Sequence, residues 1–409
     1  MIENIEVELA RKTLIDRVQL IGSETISLEE SLGRILSKDF ESTLNVPDFR
    51  KSALDGFALN YKDTEDIDGV EKAFKINNYI EAGNLDNSQY TKDSAIKIMT
   101  GAQVPEGYNT VIKKEIVRED DGYVYIADSL KENANVVSIG EDIKSGDRIA
   151  SRGEKINPGI IGVLASLGVE NIEVVKRPRI GILNTGKEIV SLGEKKSIGQ
   201  IFNSNYYTLA SILRKIGCEP INLGIATDDI DEISKIIDIN IDNVDMIITT
   251  GGASVGDYDF IFDVYKNLKA DILFKRVDMK PGTPMLSAYY KDKLLIGLSG
   301  NPGAAFVSFD YIAIPAIKKL IGYRDIEIKR LKAVLKNDFN KKSKRRRLVR
   351  ALFEIGDEKN YVSIMKDQKS GTLQSMMVCN CLIDIKAPNS GLKKGEEVEI
   401  ILLEGGDLL

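Results

Sequence analysis

The sequence predicts a multidomain α/β protein in three parts: a β-rich N-terminal region with an inserted domain, a central mostly parallel three-layer α/β domain, and a small C-terminal β-barrel. Three observations carry this. Strand and helix patterns alternate from Arg179 to about residue 326, the signature of a parallel sheet covered by helices. Short β-rich runs separated by Gly, Asp and Asn fill residues 70–150, and beyond residue 326 the helical period is lost. The chain's 409 residues accommodate about two to four domains. The expected boundaries are 1–176, with the insert at about 48–140, then 177–326 and 327–409.

In chain order, residues 1–45 mix short helical patterns with charge, and 45–60 reads as a Pro-containing loop entering a strand. Strands are expected at 95–99, 110–114 and 123–126, a helix within 153–176, and a strand at 171–175. In the central part, 180–183 is a short buried strand. Asn205 then caps a helix whose Leu209, Ile212, Leu213 and Ile216 share a face, stopped by Gly217. Strands at 220–225, 244–249, 272–277 and 294–298 and helices at 231–238 and 258–268 follow. Asn301-Pro302 opens a helix running towards Ile321, with a kink expected at Pro315. Four further strands, at 348–354, 361–365, 379–386 and 397–402, make the barrel or a small sandwich.

Composition narrows the chemistry. The chain has no histidine, which removes Ser-His-Asp triads, Cys-His pairs, His-ligated zinc and imidazole acid-base steps. With three cysteines, Cys218, Cys379 and Cys381, it cannot build a four-thiolate zinc site or a cysteine-held iron-sulfur cluster. Cys379 and Cys381 read as strand residues rather than a strained disulfide. With 56 basic and 62 acidic residues the net charge is −6, so a general nucleic-acid or membrane-surface role is not expected. The acidic start lacks the basic region of a signal peptide, no apolar run reaches membrane-spanning length, and a cytoplasmic location is expected.

In an open α/β sheet, ligands bind beyond the carboxyl ends of the strands. Those ends carry Asn184-Thr185-Gly186-Lys187-Glu188, Thr227-Asp228-Asp229, the run from Thr249 to Asp259 with Gly251, Gly252 and Ser254, Lys280-Pro281-Gly282, and Ser299-Gly300-Asn301-Pro302. Glycines and hydroxyls there expose backbone N–H groups that hold anions, and a helix start adds partial positive charge. Carboxylates beside such a nest repel phosphate unless a cation intervenes, so Glu188, Asp228 and Asp259 point to magnesium bridging to an anionic ligand. Taken singly, each motif reads more readily as a turn or a cap; their convergence on one sheet edge reverses that. The run Lys341 to Arg347, the one dense basic cluster, reads as a solvated hairpin.

Several motifs in register, Ser52-Ala53-Leu54-Asp55-Gly56-Phe57-Ala58, Met99-Thr100-Gly101-Ala102, Gly140-Glu141-Asp142, Thr185-Gly186-Lys187-Glu188, Gly251 to Asp259, Lys280-Pro281-Gly282 and Gly300-Asn301-Pro302, resemble those of the molybdopterin molybdenumtransferases, the MoeA proteins related to the gephyrin E domain. The resemblance runs end to end. It implies a cytosolic homodimer that takes adenylylated molybdopterin and molybdate, inserts molybdenum and releases AMP with a divalent cation, the substrate coming from a preceding adenylyltransferase. By motif, it carries catalytic roles onto Asp55, Thr100, Asp142, Glu188, Asp228 and Asp259, with the metal on the last three. Substrate contacts fall on Gly251, Gly252, Ser254, Arg276, Lys280, Ser299, Asn301 and Pro302. Asp55 and Thr100 would reach the α/β crevice across the dimer interface.

This sequence departs from the family pattern at Ser299, where Pro is usual, at Thr283, where Lys is usual, and at Val137 and Ile139, where basic residues are usual. Leu54 and Phe57 replace Met and Tyr without evident chemical consequence. Two other readings stand beside the enzyme: a non-catalytic molybdopterin-binding paralogue, supported by the lost cations, and a gephyrin-like scaffold.

Overall fold

A computed structural model describes residues 1–84, 89–252 and 260–406. The central domain is built on a six-stranded sheet in the order Glu219–Ala226, Arg179–Thr185, Met246–Thr250, Lys293–Leu298, Met285–Tyr290, Asp271–Phe274. The first four strands run parallel, and Met285–Tyr290 is antiparallel to both neighbours. That strand was not anticipated, because Pro281 to Pro284 reads as loop and its partner across the short Lys291-Asp292 turn absorbs the apolar signal. The edge strand ends at Phe274, short of the expected Val277.

The sheet is buried on both faces, which explains its near-continuous apolar strands. One face packs under Ser204–Lys215, the helical segments from Pro302 to Ile321, and the N-terminal helix Val7–Arg17, in a core that includes Ile182, Leu213, Phe274, Phe309 and Ile317. The other packs under Ile230–Asn240 and Phe260–Asn267 through Ile233, Ile237, Ile261 and Tyr265. The N-terminal helix therefore sits on the central domain, and Ile2 and Ile5 bridge to Phe274 and Val277 beside the edge strand.

Two sequence expectations shift. The cap of helix Ser204–Lys215 is Asn203, whose side-chain Oδ1 accepts from Tyr206 N at 3.1 Å. Asn205 lies inside the first turn, buried, and its amide donates to the Gly300 carbonyl at 2.9 Å. The segment after Asn301 does not simply kink at Pro315: Pro302–Ser308 widens into a π-turn at Phe309–Ala313 before Ile314–Ile321 continues. The wide turn precedes the proline, which has no N–H for a regular helical bond and would crowd the preceding turn.

In the N-terminal part, Ser23–Ser27 pairs with Asn171–Val175 and Phe40–Glu41 with Arg148–Ala150, so the two ends of this region close on each other. Between them lies a six-stranded β module ordered Thr110–Lys113, Gly56–Leu59, Ser94–Ile98, Asp68–Ile80, Tyr123–Asp128, Arg118–Asp120. It has its own cores, around Ile96 and Tyr108 and around Phe57 and Phe74.

At the C-terminus, Arg346–Glu354, Tyr361–Ile364, Arg330–Leu335, Glu397–Leu402 and Cys381–Ile385 close into a five-stranded barrel through pairing of the first with the last. Val349, Ala351 and Phe353 point into the barrel, while Leu348, Leu382 and Ile401 join the central core. Met279–Lys280 adds to the barrel strand in parallel, Met279 opposite Arg346 and Lys280 opposite Arg347. All three cysteines are free and buried. Among the described residues, no helix is long and apolar enough to cross a membrane.

Candidate functional site

The parallel strands end on one edge, and a cleft of about 790 Å³ opens there. Two glycines in left-handed conformations form its floor. Gly251 follows Met246–Thr250 at φ +96°, and a Cβ there would stand 2.2 Å from the Thr185 carbonyl oxygen. Gly252 is also left-handed, at φ +63°. Below the floor, Asn184 Nδ2 donates to Thr250 Oγ1 at 2.6 Å and Asn203 Nδ2 to Asn184 Oδ1 at 3.0 Å, a buried amide ladder that fixes the strand ends. The Thr185 and Thr249 hydroxyls are buried beside it without a hydrogen-bond partner among the described residues.

Two carboxylates line this cleft. Glu188 folds over Gly186, where a Cβ would come within 2.8 Å of its Oε2. Asp228 and its neighbour divide the work: Asp229 Oδ1 caps helix Ile230–Asn240 by accepting from Glu232 N at 2.8 Å, which leaves Asp228 facing the cleft. Neither Glu188 nor Asp228 enters an ion pair among the described residues, and these hold no cluster of three metal-ligating side chains. Two unengaged carboxylates are hard oxygen donors that suit magnesium, which keeps several waters and takes substrate oxygens for the rest of its shell. Ser254 and Asp259 lie outside the described residues. Gly251, Gly252, Ser299, Asn301 and Pro302 all line the cleft, together with Lys196, Phe202 and, from the barrel side, Leu373.

Ser299 and Asn301 are shared with a second lobe of about 470 Å³. This lobe is cationic. Lys280 meets Lys341, Arg345, Arg347 and Lys369 there, with Thr283 and Ser370 between them. The basic run stays largely solvated, as expected from its composition, with Lys341, Lys342, Lys344 and Arg345 exposed, but it also borders this lobe. Pairing of Met279–Lys280 with the barrel strand brings it to the sheet edge, and its members part ways. Arg345 and Arg347 line the lobe, while Arg346 turns inward to Asp384, Glu8 and the Tyr311 hydroxyl.

Sequence reasoning also missed Arg350. It is 1% exposed and donates through Nη2 to the Lys369 carbonyl at 2.8 Å, while Nε and Nη1 have no partner among the described residues. A Cβ on Gly303 would fall 1.9 Å from Nη1, so this guanidinium lies against the helix that opens after Asn301. Burial lowers its pKa from the usual arginine range, as expected for a cation taken out of water. An arginine inside a barrel strand was its only sequence signal.

Other anticipated residues stand apart in a single protomer. Asp55 accepts from Thr100 N at 2.9 Å, from Thr100 Oγ1 at 2.7 Å and from Lys114 Nζ at 3.1 Å, and these bonds, the Thr100 backbone first, hold its carboxyl down to about 2. Asp55, Thr100 and Asp142 belong to the N-terminal region and line neither lobe. Arg276 lines neither lobe as well; its carbonyl accepts from Ile5 N. Val137 and Ile139 are equally remote from both, whereas Thr283 is buried in the cationic lobe with its hydroxyl on the Met279 carbonyl.

A doubly covered sheet with a glycine-floored, acid-bearing cleft that opens into a cationic pocket walled by a second domain defines a binding protein for a multiply charged anionic ligand. Residues 5–168 match the MoeA N-terminal region (domain I and II), 181–319 a probable molybdopterin binding domain, and 332–403 the MoeA C-terminal region (domain IV). The chain is 33% identical over 401 residues to a molybdopterin molybdenumtransferase of Staphylococcus aureus, covering 98% of this chain and 96% of the relative, and equally to one of Staphylococcus epidermidis. A crystal structure of a molybdopterin biosynthesis MoeA protein from Pyrococcus horikoshii superposes with a TM-score of 0.88 at 25% identity, covering 98% and 99% of the two chains. The chain belongs to the MoeA family.

Proposed function

We propose that this protein acts in molybdenum cofactor biosynthesis as a molybdopterin molybdenumtransferase, inserting molybdenum from molybdate into adenylylated molybdopterin with release of AMP. The observation that carries the reading is the junction of the two lobes at Ser299 and Asn301, one acidic and glycine-floored, the other cationic. Two charged reactants that must meet are each given a lobe, with a shared wall between them, so binding supplies proximity.

The Gly252 N–H holds the pterin phosphate side of the substrate, while that of Gly251 is engaged by the Leu298 carbonyl and fixes the turn. Glu188 and Asp228, with Asp259, would hold a magnesium ion, which when bound supplies positive charge to the pyrophosphate and the leaving AMP oxygen. Lys280, Arg345 and Lys369 bind and orient the tetrahedral oxyanion through charge-assisted hydrogen bonds, and the Ser370 hydroxyl lies among them. Arg350, held rigidly beneath, adds a fixed positive charge. Glu188 and Asp228 lie in a different lobe from Lys280 and Lys369 and do not neutralise them, while Arg345 also pairs with Asp278 at 3.4 Å. Asp55, Thr100 and Asp142 act from the partner of a homodimer; the protein works in the cytoplasm and receives its substrate from an adenylyltransferase.

The test is AMP release by the purified protein from adenylylated molybdopterin. It should require molybdate and magnesium together, and Asp228→Asn should lower it by about two orders of magnitude while thermal melting stays within a degree or so of the parent, since a half-exposed strand-end acid contributes little to the core. AMP release that ignores molybdate, or an unimpaired Asp228→Asn protein, would overturn the reading.

A further inference from the structure

The cleft has an apolar edge to which the charge chemistry gives no task. Ile201 and Phe202 line it although 55% and 43% exposed, and Leu373, also 43% exposed, lines it from the barrel side. Large side chains left in water at the rim of a ligand cleft forgo the stabilisation that burial would bring, and they recover it when a ligand covers them.

We propose that Phe202 is the platform on which a planar heteroaromatic ring of the ligand, the pterin or the adenine, stacks while the ligand's charged oxygens lie over the glycine floor and Glu188. The inference rests on the pterin-nucleotide reading above and goes beyond it by naming a residue that selects for an aromatic group. Three features support it. The ring stands on a short parallel ribbon, Ile189–Val190 with Ile201–Phe202, and this ribbon is pinned on both sides of it: Ile201 N donates to the Glu188 carbonyl at 2.8 Å, and Asn203 N to the Val190 carbonyl at 3.0 Å. Asn203 is itself locked, capping the next helix and bonding Asn184. Glu188 and Phe202 therefore share one rigid frame, so a ligand that spans an anionic group and a ring meets both at a fixed separation.

The second feature is Lys196, whose ammonium stands 5.8 Å from the Phe202 ring centroid and which also lines the cleft. A cation held near a ring face is placed to take an anionic oxygen of a ligand stacked on that ring. Third, the other aromatic residue lining the cleft among the described residues, Phe260, is the less exposed of the two, so Phe202 offers the more accessible face.

The chain contains no tryptophan, which makes a clean probe available. In Phe202→Trp the new indole is the sole tryptophan, and its fluorescence should be quenched on titration with AMP if the adenine stacks there, or with molybdopterin if the pterin does. Either outcome supports the proposal and identifies the ring. Tyr361→Trp, on the barrel and away from both lobes, should show no quenching and corrects for light absorption by the ligand. Calorimetric titration of adenylylated molybdopterin should give about tenfold weaker binding for Phe202→Ala and binding within about twofold of the parent for Phe202→Tyr. Parent-like affinity in a folded Phe202→Ala protein, with no quenching in Phe202→Trp by either ligand, would overturn the proposal while leaving the functional reading standing. Absence of binding by the unaltered protein would overturn the functional reading itself, and this inference with it.

Discussion

Replacing Asp310 by asparagine should alter how stability responds to pH more than it alters stability at mildly acidic pH. Asp310 sits in the π-turn, 5% exposed, and accepts N–H bonds from Glu404 to Oδ1 at 3.4 Å and from Gly405 to Oδ2 at 3.2 Å. Burial pushes its carboxyl from 3.8 up to about 7, against the pull of the Gly405 amide and with added repulsion from Glu404. Because the folded-state value lies above the unfolded one, the stabilising contribution is fully present below about pH 3.8 and is lost as pH rises through about 7. Between about pH 5.5 and about pH 8.5 the unfolded carboxyl is already ionised, so the loss runs over about one and a half pKa units at about 1.36 kcal/mol each, or about 2 kcal/mol. In Asp310→Asn that slope disappears, while one of the two amide donors now faces an NH₂ group, which costs about 1–3 kcal/mol at every pH. By about pH 5.5 the parent has already lost about 2 kcal/mol relative to its fully protonated state, about the size of the variant's fixed cost, so the two proteins should be nearly matched there, with the variant ahead by about 1–3 kcal/mol at about pH 8.5. Urea denaturation of both proteins across this range at constant ionic strength gives the difference directly, and other groups cancel. Asp55 and Glu173, each held down to about 2, act at lower pH with the opposite sign. Parallel pH profiles for parent and variant would refute the reasoning.

Two further outcomes follow from the site. If Asp55 of one subunit serves the cleft of the other, mixing inactive Asp55→Ala with inactive Asp228→Ala should restore about a quarter of parental AMP release by random subunit exchange; no recovery after verified exchange counts against a shared site. Thr283→Lys adds a sixth cation beside Lys280, Lys341, Arg345, Arg347 and Lys369 and should tighten molybdate binding about threefold to tenfold at low salt, with the gain shrinking as salt screens it. Calorimetry at two salt concentrations decides this, and a salt-independent or weakened affinity would argue that the new ammonium does not reach the lobe.

What could be read from the sequence was whatever depends on neighbours along the chain. Gly251-Gly252 after an apolar strand announces a tight turn over a sheet edge, and the amphipathic face of Leu209, Ile212, Leu213 and Ile216 announces its helix, so the central layers and the acid-glycine lobe were legible. The cationic lobe was not, because it depends on one two-residue pairing between positions 67 apart, Lys280 with Arg347, that no local pattern encodes. The turn of Arg346 was equally hidden, because composition cannot tell which member of an arginine run goes inward: Arg345 stays exposed, while Arg346 is drawn in by Asp384, Glu8 and Tyr311. Asn205 was assigned the cap that Asn203 takes, since both satisfy the same local rule and only the tertiary partner, the Gly300 carbonyl, separates them. Phe202 carried no signal at all beyond being one apolar residue in a short ribbon.

The mixed membership of the central core has a consequence for how the chain is made. Ile5, then Val7, Ala10 and Leu14 from the first helix, and Leu348, Cys379, Leu382, Ile401 and Leu403 from the C-terminal domain all belong to it. A ribosome delivers the first helix before the sheet and the barrel after it, so the first helix must wait, its apolar face uncovered, until the sheet appears, and the sheet must wait for the barrel strands. The β module between residues 56 and 128 has cores of its own and can fold as soon as it emerges. Vectorial folding of this protein should therefore proceed from an inner segment outward, with the interval before the barrel strands emerge as the period when the central domain is most exposed to aggregation and most dependent on chaperones.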